Sequence, residues 1–144
     1  MELKVEKIKT KEQQDIAFEI RKQVFVIEQN VDPEEEYDQF EQSSVHFLVK
    51  ADGIAAGTAR WRFTDKGIKL ERFAILAIYR SKGLGSAIVQ AVLADLPADP
   101  KLVYLHAQLT AIPLYSKYGF KTIGSQFTEA GIEHLKMVLD NIKP

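Results

Sequence analysis

Between Leu76 and Leu84 the hydrophobic rhythm of the chain changes from a period of two to one near 3.6, and this switch constrains the fold more than any other feature. Before it, apolar residues alternate with polar ones. Leu3, Val5 and Ile8 mark a first strand. Residues 45–50, 54–63 and 68–76 mark three more, joined by tight turns at Asp52-Gly53 and Thr64-Asp65-Lys66-Gly67. In the strand over 54–63, Ala59, Trp61 and Phe63 share one face while Arg60 and Arg62 share the other. After the switch, Leu84, Ala87, Ile88, Ala91 and Val92 recur at helical spacing over 83–96, and Pro97 ends the run. Residues 102–107 form an apolar strand, and 110–118 a short helix closed by Gly119. Residues 120–128 and 132–139 form two last strands around Ala130-Gly131. A meander that feeds a strand–helix–strand unit requires parallel pairing within an otherwise antiparallel sheet. The expected fold class is α/β (α+β) with a mixed sheet.

One helix interrupts the meander. Thr10-Lys11-Glu12-Gln13 has the form of a capping box, with a hydroxyl at the N-cap and Gln three residues later. Ile16, Ile20 and Val24 follow at spacing four, so the pattern gives an amphipathic helix from 11 to about 26, and Ala17 and Phe25 fit the same face. Residues 28–41 then carry seven acids (Glu28, Asp32, Glu34, Glu35, Glu36, Asp38 and Glu41) with no Lys or Arg. They read as a loop with a short helical turn after Pro33.

Composition removes several functional classes. With 144 residues the chain suits one domain, taken here as 1–144. Cysteine is absent, and three histidines (His46, His106 and His134) stand far apart, so neither a disulfide framework nor a metal cage is expected. Lys and Arg total 19 against 20 Asp and Glu, a balance that argues against a nucleic-acid partner held by phosphate neutralisation. The longest apolar run, seven residues from Phe73, is far short of the ~20 of a membrane span. The N-terminus lacks a signal-peptide core, so a cytoplasmic location and no membrane partner are expected.

The most informative segment is Arg80-Ser81-Lys82-Gly83-Leu84-Gly85-Ser86, between a strand and a helix. Two glycines let a ligand approach the backbone, and the first amides of a helix collect anions. Arg80 and Lys82 add cations, so the ligand should carry a phosphate or pyrophosphate. The plain alternative is a glycine-containing turn with no ligand. A nucleotide-hydrolysing P-loop is disfavoured because the Gly-Lys-Ser/Thr ending is missing. A dinucleotide fold is disfavoured because the third glycine of its fingerprint is absent.

Here the sequence resembles the GNAT superfamily of acyl-CoA N-acetyltransferases. Arg80, Gly83 and Gly85 match its Arg/Gln-x-x-Gly-x-Gly/Ala signature. The segment from Ala111 through Tyr115 to Gly119-Phe120 resembles its second signature, Ala-x-x-Phe-Tyr-x-x-x-Gly-Phe. Leu114 replaces the usual Phe, and Ala77 stands where Pro is common. Residues 21–29, then Glu36, Asp38 and His46, and the stretch from Gln126 to His134, are similar to the ElaA/YjcF-like branch. The resemblance implies a GNAT fold, with a mixed sheet of about six to seven strands flanked by about four helices. It implies acetyl-CoA as co-substrate, bound by Phe73, Ala74 and Ile75 along the pantetheine arm and by Arg80, Ser81, Lys82, Gly83, Leu84, Gly85 and Ser86 at the pyrophosphate. It also implies direct transfer of acetyl to a primary amine of a small molecule or peptide, with no metal; a homodimer is allowed. Rivals are a CoA-binding module that senses without turnover, and a transferase of longer acyl chains, their length set near Ala74 and Ala107.

By the same resemblance Tyr115 stands where the family places its general acid; the alternative is a tyrosine that packs the short helix. For the base, Glu71, Glu28, His106 and a water chain compete. Strict alternation puts Glu71 on the face of Phe73 and Ile75, and a bulge in that strand reverses it. His106 ends a strand beside the place where the family splays its sheet, and is otherwise a core histidine. The acidic run is either a solvated loop or an acceptor site that attracts a cationic amine through Glu28, Glu36 and Asp38, with His46 and His134 lining it. Trp61 reads as core.

Overall fold

A computed structural model describes residues 1–98 and 102–140. Seven strands, β1 (Leu3–Lys7), β2 (Val45–Ala51), β3 (Ile54–Thr64), β4 (Gly67–Ile75), β5 (Val103–Gln108), β6 (Phe120–Glu129) and β7 (Ile132–Leu139), form one sheet in the order β1-β2-β3-β4-β5-β7-β6. All pairs are antiparallel except β4 with β5. The parallel pair falls where the hydrophobic period changes, because the intervening helix carries the chain back over the sheet.

Among the described residues, four α-helices accompany the sheet: α1 (Lys11–Arg21), α2 (Pro33–Glu36), α3 (Leu84–Asp95) and α4 (Ile112–Ser116). The capping box of α1 is complete, with Thr10 Oγ1 accepting from the Gln13 amide at 3.1 Å and Gln13 Oε1 from the Thr10 amide at 3.1 Å. The α-helix expected to run to about 26 instead ends at Arg21 and continues as a π-helical segment, Lys22–Glu28. A hydrogen bond donated by the Gln29 amide to the Val24 carbonyl closes the wider turn. The extra residue per turn lets Val24 and Phe25 both face the core, whereas Ile16 is left 40% exposed.

Two apolar layers result. Leu70, Ile88, Val92, Leu105 and Tyr115 pack between the sheet and α3 and α4, with Trp61 among them as expected. Ala17, Ile20, Val24, Leu48 and Ala74 pack under α1 on the opposite face. The β3–β4 register shifts between Thr58 and Arg60, and Arg72 takes a left-handed φ of 61°. This bulge breaks the alternation of β4. Leu70 and Phe73 then both belong to the α3 layer, while Glu71 and Ala74 turn to the α1 side. Strict alternation for Glu71 is thereby corrected. Among the described residues, no helix is long and apolar enough to cross a membrane.

Candidate active site

Strands β4 and β5 pair only from Ile68 with Val103 to Leu70 with Leu105. Beyond that they separate, because β4 bends at its bulge while β5 stays paired with β7 as far as Gln108. A cavity of about 350 Å³ occupies the gap and reaches both faces of the sheet. Phe73, Leu105 and Tyr115 line it from the α3 side; Glu71, His106 and His134 line it from the other.

Tyr115 projects from α4 and is held edge-on by Phe73, with centroids 5.5 Å apart, and by Phe120 at 6.2 Å. Its hydroxyl makes no hydrogen bond among the described residues. Burial raises its pKa well above that of an ordinary phenol, so it keeps its proton throughout the neutral range. His106, from β5, places Nδ1 2.9 Å from Glu129 Oε1. That hydrogen bond, opposed in part by burial, holds Glu129 down at about 2. Glu71 is buried beneath cations: Arg60 Nη2 at 2.8 Å, Arg62 Nε at 2.5 Å and Lys69 Nζ at 3.4 Å. Burial alone raises its pKa, but the facing charges, Arg60 foremost, outweigh it and the net shift is downward.

The turn before α3 forms a second, shallower pocket of about 240 Å³, lined in part by Ile75, Tyr79, Arg80 and Gly83. Gly83 caps α3 at φ 92°, and Ser81 is also left-handed at φ 61°. Among the described residues, no amide from 81 to 86 donates to another backbone group, so this end of α3 presents unfilled donors. Residues 71–75 of β4 likewise carry no strand on the edge away from β3. An exposed strand edge followed by an amide-rich helix start fits an amide-containing arm that ends in a pyrophosphate, as in coenzyme A.

Residues 7–141 match the family described as the acetyltransferase (GNAT) domain. The uncharacterized N-acetyltransferase YjcF of Bacillus subtilis is 40% identical over 134 residues, 92% of this chain and 96% of its own. The chain belongs to the GNAT acetyltransferase family. Two solved structures share its fold. An acyl-CoA N-acyltransferase from Pseudomonas aeruginosa superposes with a TM-score of 0.82 at 24% identity, over 95% of this chain and 99% of that one. ElaA of Escherichia coli superposes with 0.78 at 22%, over 96% and 100%.

In this N-acetyltransferase the acidic run divides: Glu28, Asp32, Glu34 and Glu35 are exposed, while Glu36, Asp38 and Glu41 turn inward onto arginines. Glu36 meets Arg21 at 2.6 Å and Arg72 at 3.3 Å; Asp38 meets Arg60 at 2.7 Å and Arg72 at 3.2 Å; Glu41 meets Arg21 and Arg60 at 2.8 Å each. Arg21 and Arg60 are fully buried, so these acids neutralise interior guanidinium groups. Asp38 falls to about 2, since Arg60 overcomes the effect of burial, whereas burial prevails at Glu36 and raises it.

Glu36, Asp38 and His134 reach the cavity wall; Glu28 and His46 do not. Glu28 pairs with Arg80 beside the α3 turn, and His46 is buried, its Nε2 donating to the Glu41 carbonyl at 2.7 Å. At the turn, Leu84 is buried and offers only its backbone, and Lys82 does not line the pocket. Ala74 and Ala107 line neither cavity. Sequence reasoning missed Glu129, whose partner lies 23 residues away on β5. It also missed the Gln29–Gln108 amide pair, in which Gln108 Nε2 donates to Gln29 Oε1 at 2.9 Å. Neither contact has a local spacing that signals it.

Proposed function

We propose that this GNAT enzyme, as one domain over 1–144 acting in the cytoplasm, transfers acetyl from acetyl-CoA directly to a primary amine of a small molecule or peptide. Acetyl-CoA supplies the activated thioester. His106 Nε2 accepts the proton that the attacking amine loses, and the Tyr115 hydroxyl gives a proton to the departing sulfur. One C–N bond forms as one C–S bond breaks. The carrying observation is that Tyr115 and His106 enter a single cavity from opposite faces of the sheet, beside the exposed edge of β4. His106 is favoured over Glu71 as the base because Arg60, Arg62 and Lys69 hold Glu71 as a charged carboxylate, and a low pKa makes a weak base. Phe73, Ile75 and the unfilled amides of residues 81–86 would hold the co-substrate.

A panel of primary amines assayed for CoA thiol release tests this reading. Release should depend on one class of amine and fall at least tenfold in H106N. Release by H106N at the wild-type rate would remove His106 from the base role.

A further inference from the structure

From this reading of His106 we infer that Glu129 is a positioning residue: its carboxylate fixes the His106 ring with Nδ1 protonated, so that Nε2 is the basic atom in the cavity. Glu129 Oε1 lies 2.9 Å from Nδ1, and no other described acid is bonded to that ring. The neighbouring charges are engaged elsewhere. Lys136, opposite His106 on β7, places its ammonium 5.1 Å from the Tyr104 ring centre, and Lys69 pairs with Glu71. The other ring on this face, His134, donates Nδ1–H to the Ile132 carbonyl at 2.7 Å.

Packing completes the clamp. Phe127, two residues before Glu129 on β6, meets the His106 ring edge-on at 5.1 Å and stacks on His134 at 5.8 Å. Glu129 itself closes the β6–β7 hairpin opposite Ile132, around Ala130 (φ 52°) and Gly131 (φ 76°). Two consecutive left-handed residues make the tight turn that matches strand twist, so the carboxylate is held by the shortest connection available. The Nδ1–H bond orients the ring and leaves Nε2 as the atom that takes the amine's proton. A free imidazole side chain favours hydrogen on Nε2, so the Nδ1–H form is a signature of the carboxylate.

Long-range ¹H–¹⁵N correlation on the ¹⁵N-labelled full chain, at a pH where the rings are neutral, reads this without any ligand. Wild type should show His106 with hydrogen on Nδ1. E129A should shift it toward the Nε2–H form, with His46 and His134 unchanged as controls for the fold. An Nε2–H ring in wild type, or a tautomer that E129A does not alter, would overturn the inference. Should E129A fail to fold, E129L, which fills the space but offers no acceptor, carries the same test. Thiol release separates this proposal from the base assignment. H106N and E129A should each lower kcat at least tenfold at constant KM for acetyl-CoA, and the double variant should be no slower than H106N. A slow H106N with E129A within threefold of wild type overturns the positioning role alone. A wild-type rate in H106N overturns both readings. Losses that multiply in the double variant mean that Glu129 acts apart from His106, which also overturns the inference.

Discussion

Arg80 and Glu28, 52 residues apart, are joined as a fork: Arg80 Nη1 and Nη2 donate to the two carboxylate oxygens at 2.5 and 2.7 Å, while Arg80 Nε donates to the Ile75 carbonyl at 2.9 Å. The first acid of the acidic run thus neutralises the cation of the glycine turn. Both groups are about 40% exposed, so their pairing contributes about 0–1 kcal/mol to stability.

Freeing that cation should favour an anionic ligand. Glu28→Gln is expected to leave the melting temperature nearly unchanged and to tighten acetyl-CoA binding a few-fold, more at low salt than at high. Isothermal titration at two ionic strengths measures this. Weaker binding in Glu28→Gln would mean that the fork pre-organises Arg80.

The two glycines of the turn should fail differently. Gly83 is left-handed, so Gly83→Ala should cost about 1–2 kcal/mol of stability. Gly85 has no such strain, and a Cβ there meets only the tip of Leu114 at 3.2 Å. Gly85→Val should therefore stay folded by circular dichroism yet lose acetyl-CoA affinity. Retained affinity in folded Gly85→Val would argue against pyrophosphate at this turn.

Tyr115→Phe keeps the ring between Phe73 and Phe120 and removes only the hydroxyl. Stability should change by less than about 1 kcal/mol while kcat falls by about 10², the low end for loss of a general acid, because a thiolate is a fair leaving group. Tyr118→Phe removes an exposed hydroxyl that accepts from Gln90 at 2.7 Å, and should be nearly silent. Equal rates for the two variants would leave Tyr115 a packing residue.

Acid should weaken the network around Arg60. Asp38 sits near 2 against its usual 3.8, so its stabilising effect is complete above about pH 4 and is lost as pH falls toward 2. Glu41 and Glu71, also lowered, act in the same direction; Glu36, raised by burial, acts oppositely. Denaturant unfolding should show stability dropping from pH 4 to 2, and less steeply in Asp38→Asn. At pH 7, Arg60→Ala should cost about 3–5 kcal/mol, since it strands buried carboxylates. A loss below 1 kcal/mol would show that the network is solvated.

What the sequence determined was local. The capping box at Thr10, the turns at Asp52-Gly53 and Ala130-Gly131, the alternation of β3 and the helical repeat of α3 each involve neighbours within a few residues, and each formed as its pattern required. The glycine turn was legible for the same reason, since Gly83 caps α3 through its own φ and the amides beside it are left unfilled by helix geometry alone. The tertiary structure decided everything that joins distant segments. The bulge at Arg72 set the face of Glu71, because one misplaced residue inverts a period of two. The π-helical turn brought Phe25 into the core beside Val24. The arginines of α1, β3 and β4 met the acidic run, converting an apparent cation trap into buried ion pairs. Glu129 reached His106 across the β7 strand. Periodicity records which face a side chain occupies along its own element, but carries nothing about the charge that another element brings to that face.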